Sequence, residues 1–465
     1  MKGRTLLTLI FLFSGAVPSA APAATADKPG EIAPAAIKET YITEPVFGGR
    51  LYMVEAGRNN AQTILLVHGI GDEGTRNWEK LIPALAPHYH VIAFDLPGFG
   101  LSEKGNHLYS PQNYASLVKW LADNYAHGPV ILLGHSLGGA VALRFAADYP
   151  ESVSRLVLVS VAGILHRSAM TRYMSSFRPK RGWQELFSGS FKVLNDAVDN
   201  AFDRLEADGL PVDLSRLLSN AFLRKVLFQS SPRTIAALAL LQEDFGPALD
   251  SVKTPTNIIW GEDDRVAPLR TARILAAKIP GSQIDIIGGA GHVLVVHKSS
   301  LFNRVLLEAL SHLPVNSEYP KLLPPPGGKR NGFCDGGSGT LFSGPYKRIE
   351  IKGCAKVRLD GVSASELYIS GSELSIENSL VKSSGTAITV KDSKVEATNV
   401  TIEGDTAIES LNSSLDIAGT TIIAGKYALK TTNVSSVLFS VSHISSLLSS
   451  GYIHGRYVVT PDSPL

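Results

Sequence analysis

The stretch PVILLGHSLGGAVALRF, residues 129–145, sets a serine between glycines, directly after an apolar run and directly before a helix-like one. Gly134-His135-Ser136-Leu137-Gly138 has the form G-x-S-x-G, in which a sharp strand-to-helix turn lifts a serine hydroxyl clear of its sheet. The spacing has a steric cause: only glycine two positions before and two positions after the serine leaves room where the backbones cross. Gly138, Gly139 and Ala140 are small enough for the following helix to lie close on the sheet. Ser136 is therefore the candidate nucleophile. The alternative is a polar residue filling an ordinary turn.

A serine hydroxyl is a poor nucleophile unless a base takes its proton. GGAGHVLVVH places His292 in a glycine-bearing loop after the segment SQIDIIGG, while His297 falls within or near a closing helix. The imidazole needs a carboxylate to hold its tautomer and to stabilise its protonated form. WGEDDRVAP offers Glu262, Asp263 and Asp264 after the segment TNIIWG, with Asp264 the first choice and Asp263 the fallback. Charge developing on an attacked carbonyl oxygen also needs N–H donors. The Leu137 N–H, at a helix N-terminus, is one. The other is expected from HGIGDEG (68–74), from Ile70 ahead of Gly69 and Gly71, with His68 bracing the loop. No cofactor and no metal site are called for.

These residues need elements to carry them. The apolar runs TILLVHG (63–69), HVIAFD (90–95), PVILLG (129–134), RLVLVS (155–160), TNIIWG (256–261) and SQIDIIGG (282–289) read as strands, most of them buried on both faces. Helical stretches such as NYASLVKWLADNYA (113–126) and LGGAVALRFAADY (137–149) alternate with them, so the fold class is α/β with a mostly parallel sheet. Residues 163–252 interrupt the alternation with amphipathic helices, among them ELFSGSFKVLNDAVDNAFDRL and SPRTIAALALLQEDF, and read as a helical cap. The domain covers 46–315, after a lead-in at 27–45.

A Pro/Gly linker follows at 316–332. From 333 to 465 the composition turns to Ser, Thr, Val and Ile, and SELSIENSLV, SKVEATNVTI, SSLDIAGTTI and SSVLFSVSHI align at spacings of 21, 20 and 22. Apolar columns result: Leu374, Val395, Leu415, Val437; Ile376, Ala397, Ile417, Phe439; Val381, Ile402, Ile422, Ile444; and Ile388, Ile408, Leu429. Such a period implies an all-β solenoid whose turns stack their inward residues. It resembles the right-handed parallel β-helix of pectin-lyase-like proteins; evenly spaced strands of a β-sandwich are the alternative.

Strand-HGxG, DLPGFGLS (95–102), GHSLGG, GEDDxVxP and GxGH, in that order, resemble the α/β-hydrolase superfamily over about Val46 to Leu313. The nucleophile–acid–base order is the family's own. The resemblance implies a Ser136–Asp264–His292 triad beneath a cap that shapes an acyl pocket, and gives DLPGFG a structural role. Serine at 136 disfavours relatives that use an aspartate nucleophile. The expected activity is hydrolysis of a small-molecule carboxylic ester, with C–C bond hydrolysis, amide hydrolysis and cofactor-free haloperoxidation open within the same architecture.

Residues 1–26 place a basic start, an apolar run and small residues in the order of a signal peptide, cleaved after Ala23 or Ala26. The protein is expected to be exported, periplasmic or secreted. Cys334 and Cys354 then favour a disulfide, with two free thiols the alternative. A net charge of +2 gives no basis for a nucleic-acid partner. The solenoid could contact polysaccharide or a cell surface. Its carboxylates Asp360, Asp392, Glu396, Asp405 and Asp416 are scattered, without the cluster a polysaccharide lyase would need.

Overall fold

Runs that bury every side chain, such as Thr63–Val67 and His90–Phe94, need apolar cover on both faces, and helices supply it here. The computed structural model describes residues 36–166, 214–314 and 328–465. The first sheet contains β1 (Lys38–Thr43), β2 (Arg50–Ala56), β3 (Thr63–Val67), β4 (His90–Phe94), β5 (Val130–His135), β6 (Val153–Val159), β7 (Thr256–Gly261) and β8 (Gln283–Ile287). Their order is β1-β2-β4-β3-β5-β6-β7-β8. β2 pairs antiparallel with β1 on one side and with β4 on the other, and the remaining neighbours run parallel.

The helices described are α1 (Ile82–Leu85), α2 (Pro111–Tyr125), α3 (Leu137–Asp148), α4 (Leu214–Ser219), α5 (Ala221–Phe228), α6 (Pro232–Gln242), α7 (Gly246–Ser251), α8 (Leu269–Lys278), α9 (Leu294–His297) and α10 (Ser299–Ser311). α1 and α10 pack on one face of the sheet through residues such as Leu85, Phe302 and Leu306. α2, α3, α6, α7 and α8 share a core on the other. α2 starts where Ser110 accepts from the Asn113 N–H and Pro111 opens the first turn, whose N–H is not needed.

The lead-in read over 27–45 contains β1, which pairs along its length with β2. Tyr41 and Lys38 of β1 are exposed, as an edge strand allows, so the segment lacks the apolar run by which the other strands were recognised. β2 likewise falls outside the strands that the apolar runs predict. The cap helix expected at ELFSGSFKVLNDAVDNAFDRL lies outside the described residues, as does the signal segment.

The all-β part begins with β9 (Asn331–Asp335), whose first two residues fall in the stretch read as linker. β10 (Leu341–Lys352), β11 (Val357–Ser370), β12 (Glu373–Glu377), β13 (Leu380–Lys382), β14 (Thr386–Lys391), β15 (Lys394–Thr398), β16 (Thr401–Leu411), β17 (Ser414–Ala418), β18 (Thr421–Thr431) and β19 (Ser435–Ser445) follow, and neighbouring strands pair parallel. The register is the one the columns require. Leu374 pairs with Val395, Val395 with Leu415 and Leu415 with Val437; Val381, Ile402, Ile422 and Ile444 pair in the same way, as do Ile388, Ile408 and Leu429. Each turn therefore buries its apolar residues on the next, in one continuous interior. Serines run beside them: Ser393, Ser413 and Ser435 hydroxyls accept from the N–H of Ser372, Ser393 and Ser413. β20 (Ser450–Val459) folds back antiparallel on β19 and closes the stack. At the other end Cys334 and Cys354 are joined in a disulfide.

Candidate active site

Ser136 sits between β5 and α3 with φ 55° and ψ −117°, a backbone conformation that L residues rarely adopt. A Cβ at Gly134 would collide with the Gly138 carbonyl, and one at Gly138 with the Val67 carbonyl. The glycines permit the crossing. The Ser136 N–H donates to the Val159 carbonyl at 3.0 Å, which ties the bend to β6.

The bend brings the Ser136 Oγ to 2.9 Å from His292 Nε2. His292 Nδ1 lies 2.9 Å from Asp264 Oδ2 and 3.2 Å from Oδ1. With Nδ1–H donating to the carboxylate, Nε2 is left to accept the serine proton, the tautomer a general base needs. Asp264 Oδ1 also accepts from the N–H groups of Val266 and Ala267, both at 2.9 Å. All three side chains are buried. Asp263, the alternative acid, is exposed, as are Glu262 and His297, so burial and reach separate Asp264 from its neighbours.

The loop after β3 lies against Ser136: a Cβ at Gly69 would stand 2.9 Å from Ser136 Cβ. Ile70 is the next residue, and Leu137 opens α3. His68 is fully buried, with its Nδ1–H donating to the Gly69 carbonyl at 2.7 Å and its Nε2 accepting from the Leu96 N–H at 2.8 Å. Burial lowers its pKa, so it braces the loop as a neutral ring. DLPGFGLS forms a knot beneath it: Asp95 accepts from the N–H groups of Thr75 (2.6 Å) and Leu101 (2.8 Å), and the Ser102 hydroxyl donates to the Asp95 carbonyl at 2.6 Å. That role is structural.

Sequence reasoning missed His135. Its Nε2–H donates to the His292 carbonyl at 2.8 Å, and the two rings lie 5.1 Å apart. Burial, and then the neighbouring His292, push its pKa down to about 3. A neutral His135 thus pins the base loop to the nucleophile turn. Nothing in the G-x-S-x-G spacing signals this, because the acceptor is a backbone carbonyl far away along the chain.

The cap segment IAALALLQEDF resolves into α6, whose Ile235, Ala236, Leu238 and Leu240 are buried in the core shared with the sheet. Arg144 of α3 binds the Glu243 carboxylate just after α6, and Arg233 of α6 binds Asp72 of the loop after β3 at 2.9 Å. Burial raises the Glu243 pKa against the pull of Arg144.

The α/β part of the chain is similar to known proteins. The sequence pattern of the α/β hydrolase fold matches residues 62–298. Uncharacterized hydrolase YugF of Bacillus subtilis is 29% identical over 266 residues, covering 56% of this chain and 93% of its own. An uncharacterized protein of Mycobacterium bovis is 33% identical over 239 residues, covering 49% of this chain and 69% of its own. A 2-hydroxy-6-oxo-2,4-heptadienoate hydrolase of Pseudomonas putida is 28% identical over 256 residues, covering 53% of this chain and 88% of its own.

Proposed function

Because this chain belongs to the α/β hydrolase fold family, we propose that it is a serine hydrolase that cleaves carboxylic esters through an acyl-enzyme on Ser136. The observation that carries this reading is the Ser136–His292–Asp264 relay, with 2.9 Å at each link. His292 Nε2 takes the Ser136 proton as Oγ attacks the ester carbonyl. The oxyanion faces the N–H groups of Leu137 and Ile70, and loss of one such donor costs on the order of 100- to 1,000-fold in kcat. The intermediate collapses as the imidazolium returns its proton to the leaving alcohol. Water, deprotonated by the same nitrogen, then releases the acid. His135 and His68 hold the two loops that meet at the reacting carbonyl.

Hydrolysis of a C–C bond is the second reading, favoured by the likeness to the Pseudomonas putida hydrolase. A panel of p-nitrophenyl esters of rising chain length, run beside a 2-hydroxy-6-oxo-dienoate, decides between them. Ester turnover at least tenfold above dienoate cleavage is the expected result; the reverse ranking replaces the ester reading with the second.

The basic, apolar and small-residue order of residues 1–26, together with the disulfide, supports export. Mass analysis of the protein purified from culture should find an N-terminus at Ala24 or Asp27; an intact Met1 counts against export. The all-β part is read as a solenoid of the pectin-lyase-like kind on the stacked columns and their register.

A further inference from the structure

We propose that the all-β domain is a working part of the catalytic apparatus, because through Arg270 it fixes the loop that carries Asp264. This rests on Asp264 being the triad acid. Arg270 lies in the first turn of α8 and is only 6% exposed. Its guanidinium spans two turns of the coil. Nε donates to Thr398 Oγ1 at 2.7 Å, Nη2 to the Ala397 carbonyl at 2.9 Å and to the Asp416 carbonyl at 3.3 Å, and Nη1 to Asp416 Oδ1 at 3.0 Å. Glu396 Oε2 stands 3.4 Å from Nη1.

The path to the chemistry is short. Arg270 follows Asp264 by six residues, and between them Val266 and Ala267 donate their N–H groups to the Asp264 carboxylate. The Ala267 carbonyl accepts from Trp260 Nε1 at 2.8 Å, and the Thr271 N–H from α8 turns back onto the Pro268 carbonyl at 2.7 Å. The loop is thus held at one end by the sheet and at the other by the first turn of α8. That turn is anchored on the coil.

The docking is built along the whole face. Arg273, one turn further along α8, pairs with Glu377 at 2.9 Å, and its carbonyl accepts from Asn399 Nδ2 at 3.1 Å. Ala418, Leu438 and Val441 are buried in the core of the α/β domain, and the His166 N–H donates to Ser440 Oγ at 2.9 Å. Val441 carries a second mark of the contact. It occupies the coil position filled by Asn378, Asn399 and Gly419 in the preceding turns, and it holds φ 40°, which a β-branched residue adopts only under constraint.

The relatives show that the fold itself does not require this support, since about half of this chain accounts for 93% of one hydrolase and 88% of another. Here the requirement comes from Arg270: a buried guanidinium stripped of its carboxylate strongly disfavours the arrangement that buries it. Freed of the coil, the first turn of α8 must rearrange to hydrate the charge, and the Asp264 loop moves with it.

The test uses the full chain with Arg270→Met and, as a milder change that leaves an acceptor in place, Asp416→Asn. Displacement of a catalytic group by about 1 Å costs up to roughly 100-fold in rate. Both variants should therefore lose about 10- to 100-fold in kcat with KM within about twofold of the parent. The low-field proton resonance of the Asp264–His292 hydrogen bond should broaden or vanish, and Arg270→Lys should recover part of both. Folded variants that keep the parental kcat and resonance, with only a lowered unfolding midpoint, overturn the proposal. If Arg270→Met does not fold, Asp416→Asn decides alone, parental kcat counting against the proposal and a loss at constant KM for it. A parent that itself turns over no substrate and takes up no fluorophosphonate would instead refute the triad reading, which separates the two failures.

Discussion

In the all-β half, left-handed turns fall on Asn378 and Asn399 in one column and on Asp392 and Asn412 in another, residue types that tolerate positive φ. In the α/β half one falls on Ser136, with φ 55° and ψ −117°, where the neighbouring glycines alone make room. The all-β half spreads these positions along its length and meets most of them with asparagine, aspartate or glycine. At Ser136 the α/β half places strain, on the order of 1–3 kcal/mol, under a hydroxyl held against an imidazole. Regularity gives the coil its stability, and the departure from regularity gives the α/β half its chemistry. Where the all-β half meets the other, Val441 takes the position that Asn378, Asn399 and Gly419 hold in the preceding repeats.

The sharpest way to break this contrast is to remove reactive groups from each half. Ser136→Ala and Asp264→Asn should each lower kcat by about 10⁴-fold, read as initial rates on the preferred ester. Asp392→Asn on the coil, or Asp263→Asn beside the acid, should change it by less than about twofold, because both carboxylates lie outside the relay. A large loss from Asp263→Asn would reassign the acid.

His135 gives an intermediate effect. His135→Phe removes the hydrogen bond to the His292 carbonyl and should lower kcat by about tenfold, in line with a neutral hydrogen bond of ~1 kcal/mol and some loss of alignment.

Acid should separate the halves as well. A group whose pKa falls on folding, from 6.5 to about 3 for His135, binds fewer protons in the native state. Its contribution is intact above pH 6.5 and is lost as pH falls toward 3, by at most about 5 kcal/mol at 1.36 kcal/mol per unit. Burial lowers His68 and His90 in the same sense in the α/β half, and His454 in the coil. Tryptophan fluorescence, whose four sources Trp78, Trp120, Trp183 and Trp260 all precede the all-β part, should therefore change at a higher pH than the far-ultraviolet signal of the coil. His135→Phe should move the fluorescence transition to lower pH, and an unmoved transition would remove His135 from the account.

The smallest effect is expected from the disulfide. Reducing Cys334–Cys354 opens a closure of 20 residues, worth about 3 kcal/mol, at the end of the coil opened by β9. The coil's unfolding midpoint in urea should fall while kcat at 25 °C stays within about twofold.

The legibility of the two halves differed for the same physical reasons. Apolar periodicity alone placed Leu374, Val395, Leu415 and Val437 in a register that the strand pairing reproduces, because a coil stacks what its repeat aligns. Ser136 and His292 were legible through glycine spacing and loop position. β1 was not, since an edge strand need not be apolar on either face. Asp264 is the first choice over Asp263 in the sequence, and burial separates the two in the structure. His135 and Arg270 act on partners 157 and 127–146 positions away, and no local pattern encodes such contacts.

The most direct measurement is to incubate the protein with a fluorophosphonate and map the adduct by peptide mass spectrometry. A single phosphonyl group on Ser136, absent from Ser136→Ala and formed at least about 100-fold more slowly in His292→Ala, is the predicted result. A folded protein that takes up no label, or takes it up at another residue, would contradict the account.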